Sequence, residues 1–191
     1  FCDTYIVAVE SDSGRFVGSA VNDATSWDGL DFATAEGSPD GLITLAVDHR
    51  QVVLFGERST EIWYADGSSG FGFSRLAGGF IEQGCLARLG VTKADHSVYW
   101  LADDRTIRRL SGQTAVRVSQ YGVEEALSDM QIVSDCEAFG FTWNGNVFVT
   151  FRFPTENKTW TLNVTTNEWS ERESYHRTVW DVVAVATSNE I

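Results

Sequence analysis

The chain has 191 residues, 43% apolar and 21% charged, an ordinary globular composition that excludes a disordered chain. Fourteen Lys and Arg against 27 Asp and Glu give a net charge of −13 and a pI near 4.5, which argues against a general nucleic-acid-binding surface with its basic stripe. No apolar run reaches the roughly 18–20 residues that a membrane-spanning helix needs.

Strand signals dominate in chain order. Residues 5–9 (YIVAV) and 15–18 (RFVG) flank Ser11-Asp12-Ser13-Gly14, a turn composition. The grammar returns as 42–47, the turn Asp48-His49-Arg50, then 51–55 and 60–64. It returns again as 87–92, Lys93-Ala94-Asp95-His96, 97–101, Asp103-Asp104-Arg105 and 106–110. One short helix follows over 123–130, where Val123, Ala126, Leu127 and Met130 fall at i, i+3, i+4 and i+7. Glu124 and Glu125 in its first turn suit the helix dipole. A fourth copy runs 138–143, Asn144-Gly145, 146–153, 159–164 and 168–172. Asn144-Gly145 is the strongest hairpin signal, because a type I′ turn needs two positive φ angles. The apolar run 179–186 is expected to begin another unit.

Val52, Val98 and Val147 hold the same place in the second strand of three copies, at spacings of 46 and 49 residues. A period in the forties with three or four short strands per unit is that of a β-propeller blade. The segment 159–172 (TWTLNVTTNEWSER) also looks like a kelch-type blade edge. We therefore expect an all-β, β-propeller-like fold with about four blades and one short helix between blades. An all-β sandwich accounts for the strands but less well for the period. Residues 1–191 read as a single domain and, opening at Phe1 with no signal-peptide pattern, as a fragment of a longer chain.

The search for chemistry is mostly negative. Cys2, Cys85 and Cys136 are odd in number and widely spaced, which argues for free buried thiols and leans to a reducing compartment. His49 and His96 fall in predicted turns, and neither they nor His176 have a carboxylate or thiol at a metal-like offset. Gly78-Gly79 lacks the Lys-Ser/Thr of a phosphate loop. Asp103-Asp104 and Glu124-Glu125 read as solvated faces in so acidic a chain. Residues 20–27 (AVNDATSW) keep only Trp27 and the amide of Asn22 from an Asp-box turn, which is itself a folding device. Twelve arginines are available to a glycosidase, but no spacing gathers them. Asn157-Lys158-Thr159 and Asn163-Val164-Thr165 match the glycosylation sequon without a secretion signal. Trp63, Trp100, Phe148, Trp160 and Trp169 sit at strand positions, where packing between blades is the plain reading and a partner-binding or sugar-stacking row the sharper one. We expect no catalytic residue, no cofactor and no metal site.

Three segments are more specific than the repeat: 25–40 (TSWDGLDFATAEGSPD), 54–63 (LFGERSTEIW) and 79–85 (GFIEQGC). In that order and spacing the chain resembles the packaged-DNA stabilisation protein, or tail-hub (nozzle), family of short-tailed phages, from about Asp23 to Trp169. The resemblance implies a structural virion protein rather than an enzyme, assembled in the bacterial host cytoplasm as a homo-oligomeric ring below the portal and adaptor. Such a ring closes the DNA channel, retains packaged DNA and docks tail fibres, spikes or a plug. DNA passes through without sequence-specific binding, and a net charge of −13 per chain, multiplied around a ring, would repel phosphates and let DNA slide. Within the second segment, Glu57-Arg58-Ser59-Thr60 suits a tight turn, with Arg58 free to pair with an acid on a neighbouring blade. The competing reading is a propeller binding module that recognises a host glycan or protein.

Overall fold

The computed structural model describes residues 1–10, 13–68 and 71–182. Four antiparallel sheets follow one another along these residues. The first holds β1 (Val7–Val9), β2 (Arg15–Gly18) and β3 (Phe32–Thr34). The second is β4 (Leu42–Asp48), β5 (Gln51–Gly56), β6 (Thr60–Ala65) and β7 (Phe73–Ile81), in sequential order. The third is β8 (Val91–Ala94), β9 (Ser97–Leu101), β10 (Ile107–Ser111) and β11 (Thr114–Arg117). The helix α1 (Tyr121–Asp129) then precedes the fourth: β12 (Glu137–Trp143), β13 (Asn146–Phe153), β14 (Lys158–Asn163) and β15 (Glu168–Glu171). These are the repeated blade-like units expected of a β-propeller-like chain, with one helix between the third and fourth.

The repeat has a common hairpin. Asp48 pairs with Gln51, Ala94 with Ser97 and Trp143 with Asn146, so each first strand turns into its second through two residues. Asp95 and His96 have φ of 45° and 54°, and Asn144 and Gly145 have 49° and 75°, the pair of left-handed residues that a type I′ turn requires. That tight turn corrects the expected strand over 87–92. The strand instead runs Val91–Ala94, right up to the turn, while the Gly90 N–H bonds the Ala87 carbonyl at 3.0 Å and closes a turn before it. Three further strands, β3, β7 and β11, were absent from the expectation. β7 carries through Gly78-Gly79 on a bulge, its register shifting between the partners of Glu61 and Trp63. The expected unit over 179–186 falls partly outside the described residues, as do Ser11 and Asp12 of the first turn; residues 179–182 form no strand.

The chain falls into two compact units: Phe1–Cys85 with Ser111–Ala115, and the remaining described residues. The first unit centres on Phe16, fully buried, with Trp63 edge-on at 5.0 Å and Phe71 and Phe73 beside it. Leu42, Val52 and Leu54 complete that core. In the second unit, Tyr99, Leu101 and Ile107 of the third sheet share a core with Val149, Phe151, Phe153 and Leu162 of the fourth. Val123 and Leu127, one stripe of α1, join them. Phe151 is wholly enclosed, and truncating such a ring to Ala costs about 3–5 kcal/mol. The two sheets approach closely at Gly140, where a Cβ would stand 2.9 Å from that of Ala94. Arg105 fixes the end of the helix, its Nη1 donating to the carbonyls of Leu127, Ser128 and Met130 at 2.9, 3.0 and 2.7 Å. No helix among the described residues is long and apolar enough to cross a membrane.

Candidate functional site

The three distinctive segments meet in space. The polar turn from Gly56 to Ser59 closes on itself, the Gly56 N–H bonding the Ser59 carbonyl at 2.8 Å. Asp40, from the first segment, holds the turn from outside. Its Oδ2 accepts the N–H groups of Arg58 and Ser59 at 2.8 and 3.0 Å, and its Oδ1 accepts the Ser59 hydroxyl at 3.0 Å. From the third segment, the Gln83 carbonyl accepts the Thr60 hydroxyl at 2.7 Å, and the Cys85 N–H donates to the Gly56 carbonyl at 2.9 Å. Gly84 lies so close that a Cβ there would stand 2.3 Å from the Glu57 carbonyl carbon and oxygen. Only a glycine permits that approach.

Beneath the turn lies Glu61, 2% exposed. A buried carboxylate needs partners. Its Oε1 accepts the Gly37 N–H at 2.6 Å, its Oε2 accepts the Trp63 indole N–H at 2.9 Å, and Arg75 Nη1 stands 3.8 Å away. Glu61 therefore ties the first segment to β6, and Asp40 ties it to the turn before β6. The arrangement is a clamp of side-chain carboxylates on backbone N–H groups. Its chemistry is positional: the two carboxylates hold backbone and indole N–H groups in place. The expected pairing of Arg58 with an acid takes a different form: the acid is Asp40, and it bonds the Arg58 backbone, while the exposed guanidinium makes no ion pair among the described residues.

The other sequence candidates lie apart from this clamp. His49, His96 and His176 are exposed turn residues, each with positive φ. Asp23 Oδ1 accepts the Thr25 N–H and hydroxyl at 2.9 and 2.7 Å, which holds its carboxyl below the ordinary range, and the Trp27 indole donates to the Ala24 carbonyl at 2.9 Å. Residues 20–27 are thus a self-bonded turn. Asp104 binds Thr106 and Arg108, and Glu124 binds Arg117 and Ser119; each holds local structure. Gly78, at φ 77°, is a strand bulge. Asn157 takes a left-handed turn conformation, and Asn163 Oδ1 accepts the N–H groups of Thr165 and Thr166. Trp63, Trp100 and Phe148 are buried, whereas Trp160 and Trp169 are half-buried, the latter donating to the Val118 carbonyl at 2.9 Å. Sequence reasoning missed Asp40 and Glu61. For Glu61 a signal existed: a lone carboxylate in the otherwise strand-like run TEIW.

No curated protein sequence matches the chain. Among solved structures, the computationally designed Ika8 protein superposes with a TM-score of 0.54 at 16% identity, over 93% of this chain and 48% of that one. The chain thus spans about half the length of that relative, with which it shares a fold. Hsv2 of Kluyveromyces lactis matches with a TM-score of 0.43 at 10% identity, over 91% of this chain and 60% of that one. A family model, Phage_stabilise, described as bacteriophage P22 Gp10, beta-propeller, matches residues 1–186.

Proposed function

The chain belongs to the bacteriophage P22 Gp10 family of packaged-DNA stabilisation proteins, structural proteins of the phage particle, and from that premise we propose that it is part of the ring that closes the DNA channel below the portal. In this reading several copies form the ring, which stacks under the portal and adaptor, retains the packaged genome and offers its outer surface to tail fibres, spikes or a plug. The observation that carries the reading is the family match over residues 1–186. The clamp gives the match a physical content, since the three segments that carried the resemblance hold one turn in place.

The charge supports a passive channel wall. A duplex carries one negative charge per about 1.7 Å of axis. A wall built from chains at −13 repels it over roughly one Debye length, about 8–10 Å in physiological salt. DNA held this way is confined without being gripped. Purified virions labelled with an antibody against this chain test the placement: label at the head–tail junction supports it, and label confined to fibre tips would overturn it.

A further inference from the structure

The first of the three distinctive segments begins inside a loop that takes no part in the clamp. Residues 19–31 join β2 to β3, and the loop closes at its base, where the Gly18 N–H meets the Asp31 carbonyl at 3.3 Å. Residues 21–30 are ten consecutive exposed positions. Hydrogen bonds nonetheless fix their course. The Ala20 N–H reaches the Ser26 carbonyl at 2.8 Å, the Asn22 N–H the Thr4 carbonyl at 2.9 Å and the Asp31 N–H the Asp28 carbonyl at 3.0 Å. The Leu30 N–H adds a bond to Asp28 Oδ1 at 2.9 Å. A compact surface loop with joined ends is the Ω form, a frequent carrier of function.

The loop leaves three large apolar side chains in solvent: Leu30 is 81% exposed, Val21 56% and Trp27 43%. Single exposed apolar residues are ordinary, but three within one self-bonded loop mark an interaction surface. The same loop carries Asp23, Asp28 and Asp31, and no Lys, Arg or His occurs from residue 16 to residue 48. None of these three carboxylates makes an ion pair among the described residues. Asp23 and Asp28 each spend one oxygen on their own turn, at Thr25 and Leu30. The nearest base along the chain, Arg15, is taken up by Glu10 at 3.4 Å and by the Phe32 ring, whose centre lies 3.9 Å from the guanidinium carbon. The loop is thus apolar and anionic at once, on a fixed backbone. Such a surface selects its partner by sign. A nucleic acid meets like charge there, and so does the same loop of a second copy. A protein face that sets Arg or Lys beside apolar side chains satisfies both features.

We infer that the 19–31 loop docks a second phage protein, through a face of that protein that places Arg or Lys beside apolar side chains. The Trp27 indole is the main anchor, with Val21 and Leu30 adding apolar contact. Asp23, Asp28 and Asp31 meet the partner's cations. The inference rests on the family reading, which makes the chain a structural protein of the phage particle, and gives the proposed docking function a place in the chain. It does not depend on the ring.

The test places a photo-crosslinker in the loop. Leu30→p-benzoylphenylalanine, introduced by amber suppression in the phage gene, is irradiated late in infection, so that finished particles are not required. The crosslinked residue is then mapped by mass spectrometry. The expected adduct is with a different phage structural protein, in a segment that carries Arg or Lys beside apolar residues. Combining the crosslinker with Asp28→Asn and Asp31→Asn should lower the adduct yield per chain about tenfold, and Trp27→Ala should do at least as much. These side chains are exposed or half-buried in a surface loop, so urea unfolding of the purified variants should match the parent and separate lost docking from lost folding. Absence of an adduct overturns the inference, as does an adduct confined to a second copy of this chain or to nucleic acid. So does a partner segment without Arg or Lys, or a yield that the two Asn substitutions leave unchanged. Antibody label away from the head–tail junction would fail the ring proposal and leave these adducts readable, so the two failures are distinguishable.

Discussion

Replacing Glu61 by Leu tests whether the clamp is held by its buried carboxylate. The Trp63 indole N–H loses its acceptor while the ring is 9% exposed, a loss of about 1–3 kcal/mol. The Gly37 N–H, on an exposed residue, can turn to water and costs about 0.5–1.5 kcal/mol. Glu61→Leu should therefore destabilise the first unit by about 2–4 kcal/mol. With a slope near 2 kcal/mol per molar urea, the unfolding midpoint of that unit falls by about 1–2 M. Glu61→Gln keeps one side-chain oxygen and should fall between. The double variant Glu61→Leu, Trp63→Phe removes the stranded donor with its acceptor and should recover a large part of the loss. Urea unfolding followed by tryptophan fluorescence reads the effect, and hydrogen exchange at Gly37 assigns it to the first unit. A Glu61→Leu chain within about 0.5 kcal/mol of the parent, or a double variant no better than the single, would refute the reasoning.

Gly84→Ala drives a methyl into the Glu57 carbonyl and should cost about 3 kcal/mol or more, read as loss of folded first unit in the same urea experiment. Arg105→Ala removes the donor shared by three carbonyls at the end of α1 and should destabilise the second unit by about 1–3 kcal/mol, with faster hydrogen exchange across the helix. Hydrogen bonding from Arg117 and Ser119, against some burial, holds the Glu124 carboxyl below its ordinary value of 4.5. Its contribution is complete above that value and is lost as pH falls through the lower folded one. Thermal melts from neutral pH down to pH 3 should show Glu124→Gln losing less stability on acidification than the parent.

The fold was legible where local chemistry dictates it. Asn144-Gly145 and Asp95-His96 need left-handed backbone, and the alternating runs around them had nowhere else to pair. Val52, Val98 and Val147 recur because each is the second residue of a second strand, just past the two-residue turn. The helix was legible from Val123 and Leu127, which share one face. What escaped is set by distance along the chain. β7 crosses its own Gly78-Gly79 on a bulge that only its pairing with β6 reveals. β3 is three residues in a polar stretch and exists because Val17 and Phe16 offer it an edge. The clamp's pairing escaped for the same reason: Asp40 and Glu61 reach partners 18 to 24 residues away, and the lone carboxylate in TEIW marks Glu61 without naming its partners.

An amber mutation in the parent gene, followed by electron microscopy of the lysate and a count of DNA-filled heads, tests the channel-closing role most directly. The account predicts heads that package their genome and then empty, without finished tails. Full heads bearing complete tails that merely fail to adsorb would contradict it.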